Sequence, residues 1–220
     1  MNNFYQKEWD ESFARLENNI LYPKEEIIKF INRYIRKKIS ENEKYFDILH
    51  QREPNQNLKG LDFGCGNGRQ TILLEEFNIE GYGCDISNEA IQMAKKNAEH
   101  HNKNYMKDRF VKINDTKLPY SNEFFNICIA DSCLDSMYFD VAKNIIKEIG
   151  RVTKNYIYLS LIAGDTRNFA KNKNEESMVK SDHEFGTIQS YFNTKKINEL
   201  ISEIDFKIIS LYKNTENDEI

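Results

Sequence analysis

The sequence predicts an α/β fold, because it contains a strand–turn–helix unit and because short apolar runs alternate with helical segments along the rest of the chain. Residues 58–63 form a short apolar run, residues 64–68 are dense in glycine, and residues 69–77 have helical spacing. A chain of 220 residues is long enough for one such domain with a full core. Within that domain we distinguish an N-terminal helical cap or lid, residues 1–50, from a core, residues 51–220.

The composition argues against several classes of protein. Hydrophobic residues make up 40% of the chain, and no apolar run approaches the ~20 residues that span a bilayer. The first ten residues lack the basic and apolar regions of a secretory signal. The net charge of −4 is unsuited to nucleic-acid binding, which needs a basic face. The four cysteines lack the spacing of a metal site or a disulfide framework. We therefore expect a cytoplasmic protein with reduced thiols, no bound metal, and neither a membrane nor a nucleic acid as its partner.

Two amphipathic helices are predicted ahead of the core. In residues 4–18, aromatic side chains recur at spacings of four and five residues. A second helix is predicted after Pro23, a residue that suits the first turn of a helix, and its apolar face extends to Ile39. These helices form the predicted cap.

The glycine-rich turn has the features of a nucleotide-type cofactor site. A side chain at Gly64 or Gly66 would keep the backbone away from a bound ligand, and such turns often need a positive φ, which glycine adopts at little cost. The next predicted strand, residues 80–85, ends in Asp85. A carboxylate at that position can accept hydrogen bonds from both hydroxyls of a ribose.

Strands and helices continue to alternate after Asp85. Ser87 is placed to cap a helix that begins at Asn88, and Thr194 is placed to cap a later one. Residues 163–185 are polar and without a sustained period, which is typical of a functional loop. The other predicted elements are a strand over residues 110–113, a strand that ends at Asp131, a helix around residues 141–149, a strand over residues 156–162, a short extended segment over residues 186–192, and a strand over residues 206–212.

The spacing of the glycines indicates which ligand the turn binds. Dinucleotide enzymes use G-x-G-x-x-G, whereas this turn reads G-x-G-x-G and follows Asp62, an acid that would repel a diphosphate and suits a cation. The stretch Leu61-Asp62-Phe63-Gly64-Cys65-Gly66-Asn67-Gly68 resembles motif I of the class I S-adenosylmethionine-dependent methyltransferases. Their cofactor carries a sulfonium and an α-ammonium. A nicotinamide-dependent oxidoreductase and a non-catalytic S-adenosylmethionine-binding protein are the alternatives.

The resemblance covers roughly residues 58–212 and implies a three-layer, Rossmann-like methyltransferase sheet that is mostly parallel. Members of this family normally close with an antiparallel hairpin that supplies a seventh strand. Only residues 213–220 follow the sixth predicted strand. Either residues 186–192 fill part of that gap, or the sequence is cut short.

The resemblance also implies a cofactor, S-adenosyl-L-methionine, with S-adenosyl-L-homocysteine as its product, and a set of residues that contact it. An acid or amide after the third strand holds the adenine amine, Ile86 packs on the adenine face, and an N-terminal aromatic segment forms a lid. The implied cofactor-binding residues are Asp62, Gly64, Cys65, Gly66, Gly68, Asp85, Ile86, Asn114, Asp115, Thr116, Asp131, Ser132, Tyr5 and Trp9.

Methyl transfer to a hydroxyl or an amine needs a base within about 3 Å of the acceptor. The catalytic candidates at the carboxyl edge of the sheet are His183, Asp131 and Asp135, and Asp165 could also reach that edge. His183 is the sharpest of these predictions, because an imidazole can act as a base at neutral pH.

The acceptor is expected to be a small molecule, a sugar or another metabolite, methylated on oxygen or nitrogen. Methyltransferases that act on base amines typically carry Asn/Asp-Pro-Pro-Tyr/Phe after the fourth strand, where this sequence has Asp131-Ser132-Cys133-Leu134. A helical cap and one loop are the only additions to the core, as in relatives that close over a small substrate.

Overall fold

A computed structural model of the protein describes residues 4–41, 44–49, 57–114, 116–164 and 176–213. Before the core, the chain forms helix α1 (Phe4–Ala14), helix α2 (Glu25–Phe30), a π-helical turn (Ile31–Ile35) and an antiparallel hairpin of β1 (Arg36–Ser40) and β2 (Lys44–Asp47). The core then runs through β3 (Lys59–Phe63), α3 (Arg69–Glu76), β4 (Glu80–Asp85), α4 (Asn88–His100), a 3₁₀ helix (Asn104–Arg109), β5 (Phe110–Lys112), β6 (Phe125–Asp131), α5 (Phe139–Val152), β7 (Thr153–Ser160), β8 (Glu176–Met178), β9 (Ile188–Ser190) and α6 (Thr194–Ile201).

The core is a five-stranded parallel sheet in the order β5-β4-β3-β6-β7. The central strands β3 and β6 are buried along almost their whole length, because helices cover both faces of the sheet. On β6, Cys128 and Ala130 pack into a buried cluster with α5 and α6, while Ile127 and Ile129 pack into a second cluster with α2 and α3. The prediction of an α/β, three-layer, Rossmann-like sheet is confirmed, whereas the division into a cap and a core stays a prediction.

The prediction that the second helix extends to Ile39 is wrong, because the helical segment ends at Ile35. The sequence continues its apolar face to Ile39, but the backbone turns extended at Arg36 and enters the hairpin, where Ile39 is exposed. Arg36 explains the change, because its buried guanidinium pairs with Asp47 and donates hydrogen bonds to the carbonyls of Phe77 and Asn78 at the end of α3. Tertiary contacts of this kind override the local helix propensity.

The sixth predicted strand, residues 206–212, is also wrong. Its residues are irregular and mostly exposed, and within the described part of the chain they pair with no strand. The extended segment predicted over residues 186–192 contains β9, which pairs with β8 in a separate antiparallel ribbon. Just after β9, Phe192 forms an isolated parallel bridge with Ala163, beyond the end of β7. In the described residues the main sheet therefore has five strands and no seventh.

Two predicted helix caps have different outcomes. Ser87 accepts a hydrogen bond from the backbone N–H of Ala90, which confirms it as the cap of α4. The cap of α6 is Asn193 rather than Thr194, since the Asn193 side chain accepts from the N–H of Lys196. Among the described helices, none is both long enough and apolar enough to cross a membrane.

Candidate active site

Three acids predicted for the site stand at or next to the carboxyl ends of neighbouring parallel strands. Asp62 is in β3, Asp85 ends β4 and Asp131 ends β6. Strand β3 lies between the other two and pairs with both. Because the carboxyl ends of parallel strands meet at one edge of a sheet, the fold brings these acids and the glycine-rich turn together.

The glycine-rich turn is tight, and its backbone needs glycine. Gly64, Gly66 and Gly68 have φ angles of +70°, +52° and +79°, values that other residues adopt only at a cost. The N–H groups of Gly64 and Cys65 both donate to the carbonyl of Cys84 on β4, at 2.8 and 3.0 Å. A Cβ added at Gly64 would overlap the Sγ of Cys133. The turn thus lies against the segment that follows β6.

Asp85 is buried and holds the turn in place. Its Oδ2 accepts from the N–H of Gly66 and its Oδ1 from the N–H of Ser87, each at 2.9 Å. Burial raises the pKa of its carboxyl, although the backbone N–H groups of Ser87, Gly66 and Ile86 act in the opposite direction. A carboxylate has about four lone-pair positions, so Asp85 keeps acceptor capacity for two hydroxyls. Ile86 beside it is partly buried against the main core.

Asp62 has a structural contact inside the protein. Its side chain is 1% exposed, and its Oδ2 accepts a hydrogen bond from Thr71 Oγ1 on α3 at 2.7 Å. Burial raises its pKa to about 7, and the neighbouring charge of Asp131 adds to the rise. Asp62 therefore ties the first strand of the core to the helix that follows the turn.

Asp131 is surrounded by cationic and polar donors. Its Oδ1 accepts from Ser160 Oγ at 2.6 Å and from the Lys24 ammonium at 2.9 Å. Its Oδ2 accepts from Gln70 at 3.5 Å and lies 3.6 Å from an Arg69 nitrogen. This buried carboxylate thus binds an ammonium ion, that of Lys24.

Asp135 has one free oxygen. Its side chain is 1% exposed, and its Oδ2 accepts from the N–H of Ile162 at 2.8 Å. The other oxygen, Oδ1, has no hydrogen-bond partner among the described residues. Burial raises the pKa of the carboxyl to about 6. At neutral pH, Asp135 is therefore mainly a carboxylate with an unused acceptor atom.

His183 lies apart from these acids. Its side chain is 62% exposed and its Nδ1 is 3.8 Å from Glu17 Oε2. No hydrogen bond or ion pair in the described part of the chain joins it to Asp131 or Asp135. Its role as a base stays a prediction.

The N-terminal segment crosses the edge of the sheet above the glycine-rich turn. We call residues 4–24 the strap. The Phe13 ring lies against Gly66, where an added Cβ would be 3.3 Å from it, and Trp9 packs on Phe13 with ring centroids 6.3 Å apart. Asp10 accepts hydrogen bonds from Ser87 Oγ, at 2.7 Å, and from the N–H of Glu89, at 3.3 Å. Trp9 thus packs beside the ring that contacts the turn, and its role in an aromatic lid over the cofactor stays a prediction.

The other predicted site residues lie at the same edge of the sheet or outside the residues that the structure describes. Ser132 accepts a hydrogen bond from Lys24 at 2.9 Å. Asn114 is exposed and Thr116 is partly buried, just beyond β5. Asp115, Asp165 and the side chain of Tyr5 lie outside the described residues.

Sequence reasoning missed Lys24, Asp10 and Ser160. Lys24 and Asp131 are 107 positions apart, and no local spacing indicates such a contact. A partial signal was present in the sequence, because Asp10 and Lys24 both lie in the segment predicted as a cap or lid.

The side chains at this edge fit S-adenosylmethionine. Asp131 already holds an ammonium ion, that of Lys24, and the cofactor also carries one. Asp85 offers acceptors beside the glycine-rich turn, and the positive-φ glycines leave room for the backbone to approach a ligand. In the described residues, no group of three or more His, Cys, Asp and Glu side chains could hold a metal ion.

Comparison with known proteins identifies the class of protein to which this fold and site belong. A family model described as a methyltransferase domain matches residues 54–207, and the chain belongs to that family. The protein is therefore an S-adenosylmethionine-dependent methyltransferase, which decides against the nicotinamide-dependent oxidoreductase and the non-catalytic binding protein. A search of curated proteins gave no significant match.

Solved structures support the same fold. An S-adenosylmethionine-dependent methyltransferase from Methanosarcina mazei has a TM-score of 0.57 and 23% identity, over 70% of this chain and 82% of that one. A structure from Thermotoga maritima, described as a possible histamine N-methyltransferase, has a TM-score of 0.51 and 19% identity, over 90% of this chain and 81% of that one. At these identities the likeness concerns the fold alone.

Proposed function

We propose that the protein transfers a methyl group from S-adenosylmethionine to an oxygen or nitrogen of a small molecule, such as a sugar or another metabolite. The observation that carries this proposal is the strap, which lies over the glycine-rich turn and the end of β6 at the carboxyl edge of the sheet. It contacts the glycine-rich turn through Phe13 and the loop before β9 through Glu17, which accepts from the N–H of Glu184 at 3.0 Å. A covered edge of this kind suits an acceptor small enough to be enclosed.

The acids at the edge have separate roles in this proposal. Asp85 binds the ribose hydroxyls, Asp131 binds the α-ammonium, and Arg69 is near enough to Asp131 to pair with the adjoining carboxylate. When bound, the cofactor supplies an electrophilic methyl group. The protein's task is then to align the acceptor and to exclude water.

Asp135 is the group that we propose as the general base. It is buried at the same edge, and its Oδ1 is free of partners among the described residues. A carboxylate in this state can take a proton from a hydroxyl or an ammonium acceptor and hold it at Oδ1. Asp131 is less suited to this role, because Ser160 and Lys24 occupy its Oδ1. The exposed His183 is the competing candidate.

The acceptor class is tested with S-adenosylmethionine that carries a labelled methyl group. The protein is incubated with three fractions from cells: low-molecular-weight metabolites, total nucleic acid and total protein. We expect label in the metabolite fraction, in a product that requires the active protein. Label confined to nucleic acid or protein would contradict the proposal. An Asp85→Ala sample serves as the matched control for background transfer.

Asp85→Ala should weaken cofactor binding. The substitution removes the proposed ribose acceptors and also the two bonds that hold Gly66 and Ser87. Charge-assisted hydrogen bonds contribute about 1–3 kcal/mol, so the Kd for S-adenosylhomocysteine should rise by about 5- to 150-fold. Isothermal titration calorimetry measures this change. Asp108→Ala, at an exposed acid in the 3₁₀ helix, should leave the Kd unaltered, and an equal Kd for both variants would refute the ribose assignment.

A further inference from the structure

The strap makes polar contacts with three of the segments that form the carboxyl edge. Asn67 in the glycine-rich turn donates from its side chain to the carbonyl of Ile20 at 2.8 Å and to Asn19 Oδ1 at 3.2 Å. Asp10 binds the start of α4 through Ser87. Lys24 binds Asp131 at the end of β6 and Ser132 just after it. The strap is thus attached at the turn, at the start of α4 and at the end of β6.

The contact of Lys24 differs from the others, because it places a full positive charge on a buried acid. The ammonium donates to Asp131 Oδ1 and to Ser132 Oγ, both at 2.9 Å. The Asp131 side chain is 5% exposed, whereas the Lys24 side chain is 38% exposed. The acid is therefore fixed in the core of the edge, and the lysine can leave it for solvent.

A second ammonium could not bind the same oxygen without displacing the first. Asp131 Oδ1 already accepts from Ser160 and Lys24, and its Oδ2 faces Gln70 and Arg69. Two ammonium ions on one carboxylate oxygen would also repel each other in a poorly solvated place. A ligand with an α-ammonium must therefore compete with Lys24 for Asp131.

We propose that Lys24 is an internal substitute for the α-ammonium of the cofactor. In the ligand-free protein it neutralises Asp131 and keeps the strap closed. Binding of the cofactor exchanges one ammonium for another, which releases Lys24 and loosens residues 19–24 of the strap. This inference rests on the assignment of Asp131 in the proposed function. Its consequence is selectivity, because an adenosyl compound without an amino-acid part cannot replace Lys24 at Asp131.

The test compares two ligands on the wild-type protein and on Lys24→Met, which keeps the aliphatic stem and removes the charge. S-adenosylhomocysteine carries the α-ammonium, whereas 5′-methylthioadenosine has the same nucleoside and thioether without it. In Lys24→Met the Kd of S-adenosylhomocysteine should fall by about tenfold, which corresponds to about 1.4 kcal/mol. The Kd of 5′-methylthioadenosine should change by less than about twofold, because it makes no use of Asp131. Calorimetry measures both.

Two control variants make the result specific. Lys29→Met removes a lysine of α2 whose partner is the exposed Glu25, and it should bind both ligands as the wild type does. Lys24→Arg keeps a cation at the strap and should bind S-adenosylhomocysteine with a wild-type Kd or more weakly. If Lys24→Met folds poorly, Lys24→Gln replaces it, and the same change in Kd is expected. Both controls then apply unchanged.

The outcomes that overturn the inference are separate from those that overturn the proposed site. Unchanged or weaker binding of S-adenosylhomocysteine to Lys24→Met, or equal tightening of both ligands, would show that Lys24 does not stand in for the α-ammonium. Wild-type affinity for S-adenosylhomocysteine in Asp131→Asn would instead show that the α-ammonium site of the proposed function has been misassigned.

Discussion

Asp135→Asn is expected to lower kcat by about 10²- to 10⁴-fold, the range that a positioned general base contributes. Asparagine has nearly the same shape and can still accept from the N–H of Ile162, so the fold around β7 should be kept. It cannot take up a proton at the position of the free Oδ1. The assay uses the acceptor identified by labelled methyl transfer, at saturating cofactor.

The pH dependence of kcat/KM provides a second test of Asp135 as the general base. Because burial raises the pKa of Asp135 to about 6, kcat/KM of the wild type should fall as the pH drops through about 6, where the carboxylate becomes protonated. His183→Ala is the matched comparison, since its side chain is exposed, and it should retain nearly full activity. Full activity in Asp135→Asn together with loss of activity in His183→Ala would assign the base to the histidine.

Asp62→Asn is expected to stabilise the protein at pH 8 by about 2–4 kcal/mol. The pKa of Asp62 is raised from its ordinary value of 3.8 to about 7 in the folded protein. The folded state thus binds this proton more tightly than the unfolded state. The resulting stability is fully present below pH 4 and is lost as the pH rises through 7. Asparagine avoids the buried charge and can still accept from Thr71 Oγ1.

Urea unfolding at pH 5 and at pH 8 measures this effect. The wild type should lose stability between the two values, and Asp62→Asn should lose less. Asp135 adds to the loss in both proteins, because its pKa is raised in the same direction. Asp108→Asn, at an exposed acid, is the control and should follow the wild type. A variant less stable than the wild type at pH 8 would show that the Asp62 charge is needed in the fold.

The local structure around the candidate site that was predicted correctly is encoded in consecutive residues. The glycines with positive φ, Asp85 at the end of its strand and Ser87 as a cap all depend on neighbours within a few positions. Backbone sterics and local hydrogen bonds act at this range, so spacing alone indicates them. For the same reason the alternation of strands and helices predicted the fold class.

The features that were missed depend on contacts between distant segments. The apolar face of residues 27–39 predicts one helix, but Arg36 ends it by binding the far end of α3. The apolar residues of 206–212 predict a strand, yet a strand forms only beside a partner, and none of the described strands pairs with them. Lys24 reaches Asp131 because the strap runs from the start of α4, past the glycine-rich turn, to the end of β6.

The most direct measurement of the central claim is a crystal structure of the wild-type protein with S-adenosylhomocysteine. We predict that Asp85 accepts hydrogen bonds from both ribose hydroxyls. We also predict that the α-ammonium takes the place of the Lys24 Nζ on Asp131. An adenosyl group bound elsewhere, or bound without contact to Asp85, would contradict the account.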